Sequence, residues 1–426
     1  MSAVRATILL VVVPLAACAV GAYATEKQAN KTPISGTAAD SSARDAETLT
    51  FRIKGQTQSV RGRVVVEAAD GGILFQGVDG ELWTVERNEI EGRERLGVPF
   101  KPLTPAELST QLLGELPPGF RSYTTPHYVV CYNTSREYAQ WTSSLLERLY
   151  KAFSSYWQKQ GLEVHEPEFP LPVVVFAERP VYDQASRDDL PNGTGSIIGY
   201  YSLRSNRINM FDLTGTEAVR DAAGGHRQNV GQLGYLQTRG RQSVGTNRRG
   251  SLREINQMLS QPAAVPLVAT IVHEATHQIA FNCGLQTRYA DIPLWLCEGM
   301  AVYFEAPDLA SKSGWRGIGR VNYPRLETFR KNVSRWHEGS LEEMIRDSRR
   351  FRDPRTAVDA YADAWALNYY LIKFEAKEYA AYLKMMAAKK PLVDDDPQTR
   401  LSDFRKYFGD LHRLQHDFLK QMSRVR

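Results

Sequence analysis

The residues best suited to chemistry lie between Ala264 and Glu305. This segment contains the pattern HExxH, formed by His273, Glu274 and His277, within an apolar run. Residues four apart lie on one face of a helix, so both imidazoles can bind the same ion. Glu274 then lies beside that face, where its carboxylate can accept a proton from water on the ion. The pattern therefore predicts a helical metal site that activates water.

A catalytic zinc site needs a third protein ligand and one position left open for water. The sequence offers Glu298, which lies 21 positions after His277 and early in the apolar segment 293–305. Gly284 is suited to end the first helix, and Pro293 is suited to begin the second. We predict that the two helices run antiparallel and bring the three side chains to one Zn²⁺.

The same residues carry a resemblance to a known group of enzymes. HExxH followed by a Glu within WLxEGxA is similar to the gluzincin metallopeptidases, and the string HEATHQ at 273–278 resembles a bacterial family of exported, peptidase-MA-like proteins of unassigned function. The motif itself covers about 45 residues, and a broader resemblance covers about residues 120–380. It implies His273, His277 and Glu298 as zinc ligands and Glu274 as general base. Because no GxMEN-type segment is present, we expect an endopeptidase that acts on peptide or protein substrates.

One position departs from the gluzincin pattern. Thermolysin-like gluzincins carry an Asp four residues after the Glu ligand, and this Asp supports a ligand His, but here the position is Val302. Asp291, Glu305 or a backbone carbonyl are candidates to replace it, since a metal-bound imidazole needs an acceptor for its second nitrogen.

The oxyanion formed during hydrolysis needs a hydrogen-bond donor. Tyr361 is the candidate, because the helical tails of gluzincin-like proteins supply a Tyr or His there. A core aromatic four residues before Trp365 is the alternative interpretation of Tyr361. His226 is a second candidate for the donor, and a simple loop histidine is its alternative.

Three cysteines follow the N-terminal segment. If both ligand helices meet at one ion, Cys283 and Cys297 lie near each other, and a disulfide is possible in an oxidising compartment. Two buried thiols are the alternative. Cys131 lies in a predicted strand and is expected in the core.

The surrounding elements predict an α+β protein with a zincin-like catalytic domain at 120–318. Its mixed sheet is expected from strands at 127–132, 171–176 and 199–211, together with a long amphipathic helix at 137–160. An edge strand within 199–211 is a candidate to bind extended substrate backbone. After 319 the chain reads as a helical C-terminal part to 426, ending in a helix at 401–422. Residues 214–253 are predicted to form a basic loop.

The N-terminal hundred residues divide into three parts. Residues 1–24 are predicted to be a signal peptide, with either ordinary cleavage after Ala24 or lipid modification of Cys18 in a lipobox-like sequence. A retained signal anchor is the alternative, and the apolar run at 6–20 is short for a membrane span. Residues 25–47 have almost no large apolar side chains and predict a flexible linker. Strands at 48–53, 62–66, 72–75 and 82–85 predict a small SH3-like β-module at 48–98. We expect an exported protein of the periplasm or cell envelope, attached to the membrane if Cys18 is lipidated.

Composition limits the partners. The chain has 426 residues, with 53 Lys and Arg against 48 Asp and Glu, and this small excess gives no support for nucleic-acid binding. Nothing in the sequence indicates an oligomer, so we expect a monomer. Two rival functions stay open: a non-catalytic exported binding or scaffold protein that retains the fold, and a zinc amidase that hydrolyses a non-protein amide.

Overall fold

The computed structural model describes residues 45–190, 195, 197–216, 251–309 and 315–426. Within these ranges the chain forms two five-stranded sheets and a set of helices, which is a mixed α+β architecture. None of the described helices combines the length and the apolar character needed to cross a bilayer. The predicted signal peptide, Cys18, residues 25–44, His226 and most of the predicted basic loop lie outside the described residues.

The first sheet is antiparallel and has the order β4-β3-β2-β1-β5. Its strands are β1 (Asp45–Ile53), β2 (Gln56–Glu67), β3 (Ile73–Gly77), β4 (Leu82–Val85) and β5 (Ile90–Pro99). The turn between β3 and β4 contains Gly80 with a φ of +84°, which agrees with the turn predicted from Asp79-Gly80. A small separate core of six apolar side chains lies on one face of the sheet, with Phe51 and Phe75 fully buried.

Two features of this sheet differ from the sequence prediction. β1 begins at Asp45, inside the segment predicted as linker, because Ala46 is buried and Glu47 pairs with Arg95 of β5. β5 itself was not predicted, since Ile90–Pro99 is rich in charged residues and has no regular apolar alternation. It is held by backbone pairing with β1, and pairing partners are not visible in a local pattern.

The second sheet is mixed and has the order β6-β7-β8-β10-β9. Its strands are β6 (Arg121–Thr124), β7 (Tyr128–Tyr132), β8 (Leu171–Phe176), β9 (Gly199–Tyr201) and β10 (Ile208–Phe211). The three central strands are parallel, and β6 and β9 are antiparallel edge strands. The central strands are buried on both faces, which explains the continuous apolar runs of β7 and β8.

Helices cover both faces of this sheet. On one face α1 (Pro105–Glu115) packs on Val129 and Cys131, and α3 (Arg179–Ala185) packs near Phe176. On the other face lies α2 (Arg136–Lys159), whose Leu145 belongs to the main core. α1 lies in a Pro-containing stretch in which no helix was predicted from the sequence. Its Thr104 capping box and first-turn Pro start the helix.

The remaining helices complete the main core. Two of them carry the predicted metal ligands: α5 (Val265–Asn282) and α6 (Leu294–Phe304). The others are α4 (Leu252–Leu259), α7 (Tyr323–Asn332), α8 (Ser340–Arg346), α9 (Arg349–Arg352), α10 (Ala357–Phe374), α11 (Ala376–Ala387), α12 (Pro397–Phe408) and α13 (Leu411–Met422). The prediction of one helix at 401–422 is wrong. Two helices, α12 and α13, are separated by Gly409, which has a φ of +73°.

The first sheet is docked on the rest of the protein through its β3–β4 turn. The guanidinium of Arg288, in the loop between α5 and α6, donates to the carbonyl oxygens of Gly80 at 2.8 Å and Leu203 at 3.2 Å. Arg204 forms an ion pair with Glu81. The small sheet therefore contacts both the loop that follows edge strand β9 and the loop that joins the two ligand helices.

Candidate metal centre

Side chains on α5 fix this helix to the mixed sheet. The amide nitrogen of Gln278, the last letter of HEATHQ, donates to the carbonyl oxygens of Pro172 in β8 and Asn206 after β9, at 3.0 and 2.8 Å. Asn282, one turn later, exchanges amide hydrogen bonds with the side chain of Asn206. Because these bonds are buried and directional, they set the rotation of the helix and hence the face on which its histidines lie.

α6 packs beside α5. The first helix ends with Cys283 as its C-cap and Gly284 at a φ of +86°, and Pro293 is the N-cap of the second. Gly299 allows α10 to approach closely: a Cβ atom there would lie 2.0 Å from the side-chain nitrogen of Asn368 and 2.6 Å from a backbone oxygen. The glycine that follows Glu298 is therefore required by helix packing.

The two helices bring His273, His277 and Glu298 together. The Nε2 atoms of the two imidazoles are 3.0 Å apart, and Oε2 of Glu298 lies 3.2 Å from Nε2 of His273 and 3.6 Å from Nε2 of His277. Ligand atoms of a tetrahedral site with metal–ligand distances of 2.0–2.1 Å are about 3.3 Å apart. The three atoms therefore fit three corners of such a site, and these residues can hold a metal ion.

Burial and charge favour the ionisation state of a ligand at His277 and Glu298 but not at His273. Burial lowers the pKa of His273, but its hydrogen bonds to Glu298 and Glu305 outweigh burial and raise the pKa to about 9, so this imidazole must lose a proton to bind an ion. Burial lowers the pKa of His277, which keeps the imidazole neutral with a lone pair for an ion. Burial alone would raise the pKa of Glu298, but the attraction of the two imidazoles lowers it to about 2. All three side chains are buried, so their charges interact strongly with an ion in this environment.

Glu274 lies on the same helix and is completely buried. Its Oε2 accepts a hydrogen bond from the backbone N–H of Tyr201 in edge strand β9, at 2.9 Å. Its Oε1 has no hydrogen-bond partner among the described residues. Burial raises the pKa of this carboxyl to about 8, against the opposing effect of His273. Glu274 is thus a fixed carboxyl group with one free oxygen, and the positive charge of a bound ion would favour the ionised form that can accept a proton.

Glu305 supplies the carboxylate that thermolysin-like gluzincins have at the position of Val302. Its Oε2 lies 3.1 Å from Nδ1 of His273, and its Oε1 accepts a hydrogen bond from Asn322 at 2.7 Å. Glu298 and Glu305 are seven residues apart, which is two helical turns, so they extend from one side of α6 to the two nitrogens of one imidazole. Of the three predicted candidates, Asp291 instead pairs with Arg400. The sequence named Glu305 among its alternatives, and the seven-residue spacing would have favoured it.

His277 is supported by a thiol, a contact that the sequence did not predict. The Sγ atom of Cys297 lies 3.5 Å from Nδ1 of His277 and 3.3 Å from the side-chain oxygen of Gln286. Burial raises the pKa of Cys297 well above its ordinary value, so it stays a thiol. Its S–H can donate to Gln286 while the sulfur accepts from His277. Cys131, Cys283 and Cys297 are all free and buried, so the possible Cys283–Cys297 disulfide is absent.

Tyr361 lies on the Glu305 side of this site. Its ring packs against Phe351, with ring centroids 5.5 Å apart, and against the guanidinium of Arg325, whose Cζ is 5.7 Å from the ring centroid. Arg325 in turn lies 3.6 Å from Glu305. The structure thus places Tyr361 two side chains away from His273 and in the core, and its proposed role as an oxyanion donor stays a prediction.

A comparison with protein families gives one result for this region. The family described as "Protein of unknown function (DUF1570)" matches residues 267–393. The match contains His273, His277, Glu298, Glu305 and Tyr361, and it leaves out both sheets. No curated protein matches the chain significantly. The region of similarity to this family therefore includes the candidate metal centre, and the description of the family gives no activity.

Proposed function

We propose that this protein is a zinc-dependent peptidase that cleaves within peptide chains. The observation that carries the proposal is the buried triangle of His273, His277 and Glu298, with the unpaired oxygen of Glu274 on the same helix. Two imidazoles and one carboxylate are a ligand set typical of catalytic zinc, which keeps a fourth position for water or substrate. The resemblance to gluzincins around HExxH and Glu298 supports the same assignment.

Different residues of the protein have different roles in the proposed hydrolysis. When bound, a zinc ion supplies Lewis acidity, which brings the pKa of water near 7 and polarises a carbonyl oxygen. Oε1 of Glu274 accepts the proton of the attacking water, while the bond from Tyr201 holds its other oxygen. Glu274 then passes this proton to the leaving amine as the peptide C–N bond breaks. Glu305 and Cys297 hold the two imidazoles in orientation.

The substrate backbone has a natural place beside β9. This strand is the last of its sheet, so none of the described strands pairs with its outer edge. The β9 residue Tyr201 contacts Glu274 directly, so an extended peptide added to this edge passes the general base.

We also propose that the catalytic domain is zincin-like, because its mixed sheet has an antiparallel edge strand beside the HExxH helix. The order β5-β1-β2-β3-β4 supports an SH3-like first sheet.

The decisive experiment compares metal content and cleavage in matched variants. Wild-type protein should contain one zinc per chain by elemental analysis and should cleave unfolded casein. Glu274→Gln should keep the zinc and lose cleavage, because only the proton acceptor is removed. His273→Ala should lose both. Unchanged cleavage by Glu274→Gln would contradict the mechanism, and zinc retention without any cleavage by wild-type protein would favour the scaffold or amidase alternatives.

We also propose that the protein is exported, from the apolar run and small residues within 1–24. Lipidation of Cys18 would anchor it to a membrane. Cells that express Cys18→Ser should then release the protein into the soluble envelope fraction. If the variant and wild-type protein partition identically, the anchor is absent and ordinary signal cleavage remains.

A further inference from the structure

Glu305 lies at the end of α6, where the helix does little to fix its side chain. It is the C-cap residue of this helix and is only 6% exposed. The last torsion of a glutamate side chain is broad, so the chain alone does not determine the plane of the carboxylate. That plane matters, because Oε2 accepts a hydrogen bond from Nδ1 of His273 at 3.1 Å and so orients the imidazole. The carboxylate therefore depends on neighbouring groups for its own orientation.

Two side chains from the start of α7 contact the other oxygen of Glu305. Asn322 is the N-cap residue of α7: its Oδ1 accepts from the backbone N–H of Arg325 at 3.3 Å, and its Nδ2 donates to Oε1 of Glu305 at 2.7 Å. Nε of Arg325 lies 3.6 Å from the same Oε1, and both charged groups are buried, so their attraction is strong. Both contacts act on Oε1 and leave Oε2 to His273.

Arg325 is itself held from a second side. Its Cζ lies 5.7 Å from the ring centroid of Tyr361 in α10. A guanidinium that faces an aromatic ring at this distance is attracted to it. The end of α6, the first turn of α7 and the beginning of α10 therefore meet around the carboxylate of Glu305.

We propose that Asn322 and Arg325 are positioning residues of the metal centre. They fix Oε1 of Glu305 and thereby direct Oε2 at Nδ1 of His273, so that Nε2 of this imidazole stays turned toward Glu298 and His277. The inference rests on the proposed function, because it needs a metal ion in the site. It extends the residues that determine metal affinity from α5 and α6 to the first turn of α7.

The bond to Glu305 can be separated from the capping of α7. Asn322→Ser keeps a hydroxyl suited to an N-cap but is too short to bridge to Glu305, whereas Asn322→Ala loses both contacts. We expect both variants to bind Zn²⁺ about 10-fold more weakly than wild-type protein, the low end for groups that surround a metal ligand. Asn322→Ala should have the lower thermal unfolding midpoint of the two. Competition with a chromogenic chelator measures the affinity.

A double-mutant cycle shows whether Asn322 acts through Glu305. Glu305→Ala alone should weaken Zn²⁺ binding. In that background Asn322→Ser should change the affinity by less than about twofold, because no carboxylate is left to orient. A purely structural effect of the serine substitution would instead lower the affinity by the same factor in both backgrounds.

Arg325 is tested through its charge. Arg325→Gln should weaken Zn²⁺ binding about 10-fold, and Arg325→Lys should keep most of the affinity, because an ammonium restores the cation beside Oε1. Arg330→Gln removes the same charge from the exposed side of α7, and Asp410→Ala removes the N-cap of α13. Both controls should keep the wild-type affinity. The visible absorption of Co²⁺-loaded protein should change in Arg325→Gln and not in the controls.

Two results would overturn this inference alone. One is wild-type Zn²⁺ affinity in either folded variant, Asn322→Ser or Arg325→Gln. The other is an equal effect of Asn322→Ser with and without the Glu305 carboxylate. A wild-type protein that binds zinc and does not cleave casein would contradict only the proposed peptidase function, and one that binds no zinc would contradict both.

Discussion

The two histidines of HExxH are held by partners of different chemistry. His273 faces the carboxylate of Glu305, a strong acceptor that increases the basicity of the imidazole, whereas His277 faces the thiol of Cys297, a weak acceptor. The thiol is itself oriented by Gln286. Because the two acceptors differ in strength, their removal should weaken zinc binding by different amounts. The thiol is the acceptor that the sequence did not predict.

Cys297 gives a direct test of this support. Cys297→Ala should weaken zinc binding by about 10-fold or more, because His277 loses the acceptor that fixes its tautomer. Cys297→Ser should keep most of the affinity, since a hydroxyl can accept from His277 and donate to Gln286. Competition with a chromogenic chelator measures both. Cys283→Ala removes another buried thiol that does not contact a ligand; an equal loss there would show that the effect is only one of packing.

Away from the site, His127 links stability to pH. Its Nδ1 lies 2.7 Å from Glu147, and this hydrogen bond raises the pKa of the imidazole above its ordinary value near 6.5. The charged pair therefore stabilises the fold fully below pH 6.5, and the stabilisation is lost as pH rises through the folded-state pKa.

The measurement is urea unfolding of wild-type protein and His127→Asn between pH 5.5 and 8.5. The difference in unfolding free energy should be largest at the acid end and should shrink with rising pH. His412→Asn, which removes an exposed imidazole, is the control for the substitution itself. A difference for His127→Asn that grows with pH would show that the pair does not act as described.

At the scale of elements, the site depends on how closely three helices pack. α5 is fixed to the sheet by Gln278, α6 lies beside α5, and α10 presses on α6 at Gly299. Asn368 of α10 donates to the carbonyl oxygen of Trp295 in α6, so the contact is bonded as well as close. A displacement of α10 would therefore move Glu298, the neighbour of Gly299.

Gly299→Ala tests this packing. The new methyl group meets backbone and a buried amide, so we expect a loss of about 2 kcal/mol or more in unfolding free energy, together with weaker zinc binding. Gly114→Ala is the matched control, because nothing lies within 4 Å of its Cβ and the same change in α1 should stabilise by about 0.5 kcal/mol. Equal changes in unfolding free energy for the two variants would show that close packing at Gly299 does not contribute to stability.

The sequence predicted the elements whose signal is local. The helix of HExxH, its end near Gly284 and the position of Glu298 follow from periodicity, a capping glycine and motif spacing. β5 and β6 were missed, since edge strands with polar or charged sequences are defined mainly by their pairing. The partners of the ligands were found only in part: Glu305 was one of several candidates, and Cys297 and Arg325 were not identified. Their contacts join residues far apart in the chain, which local patterns do not encode.

At the scale of the whole molecule, the first sheet is part of the same structure as the candidate site. Its β3–β4 turn binds Arg288 and Arg204, and its Arg63 pairs with Glu168 at 2.5 Å. These contacts reach the loop between α5 and α6, the loop that follows β9 and the segment between α2 and β8.

Arg288→Met should show how much this docking contributes. The variant keeps the apolar stem but leaves the carbonyl oxygens of Gly80 and Leu203 without their donor, which should cost about 2 kcal/mol. Guanidinium unfolding measures the loss. Arg355→Met, at a side chain that is 87% exposed, should change stability by less than about 0.5 kcal/mol. Equal effects of the two substitutions would mean that the loops and the sheet are only loosely associated.

The burial of the ligand side chains has a consequence for time as well as for affinity. His273, His277 and Glu298 are each at most 2% exposed, so a chelator cannot reach these side chains directly and an ion leaves only when its bonds to them break. Release to a chelator is then a first-order process paced by the breaking of these bonds. Its rate should not change when the chelator concentration is raised tenfold. Ligands buried in this way keep an ion in place through brief exposure to metal-poor surroundings.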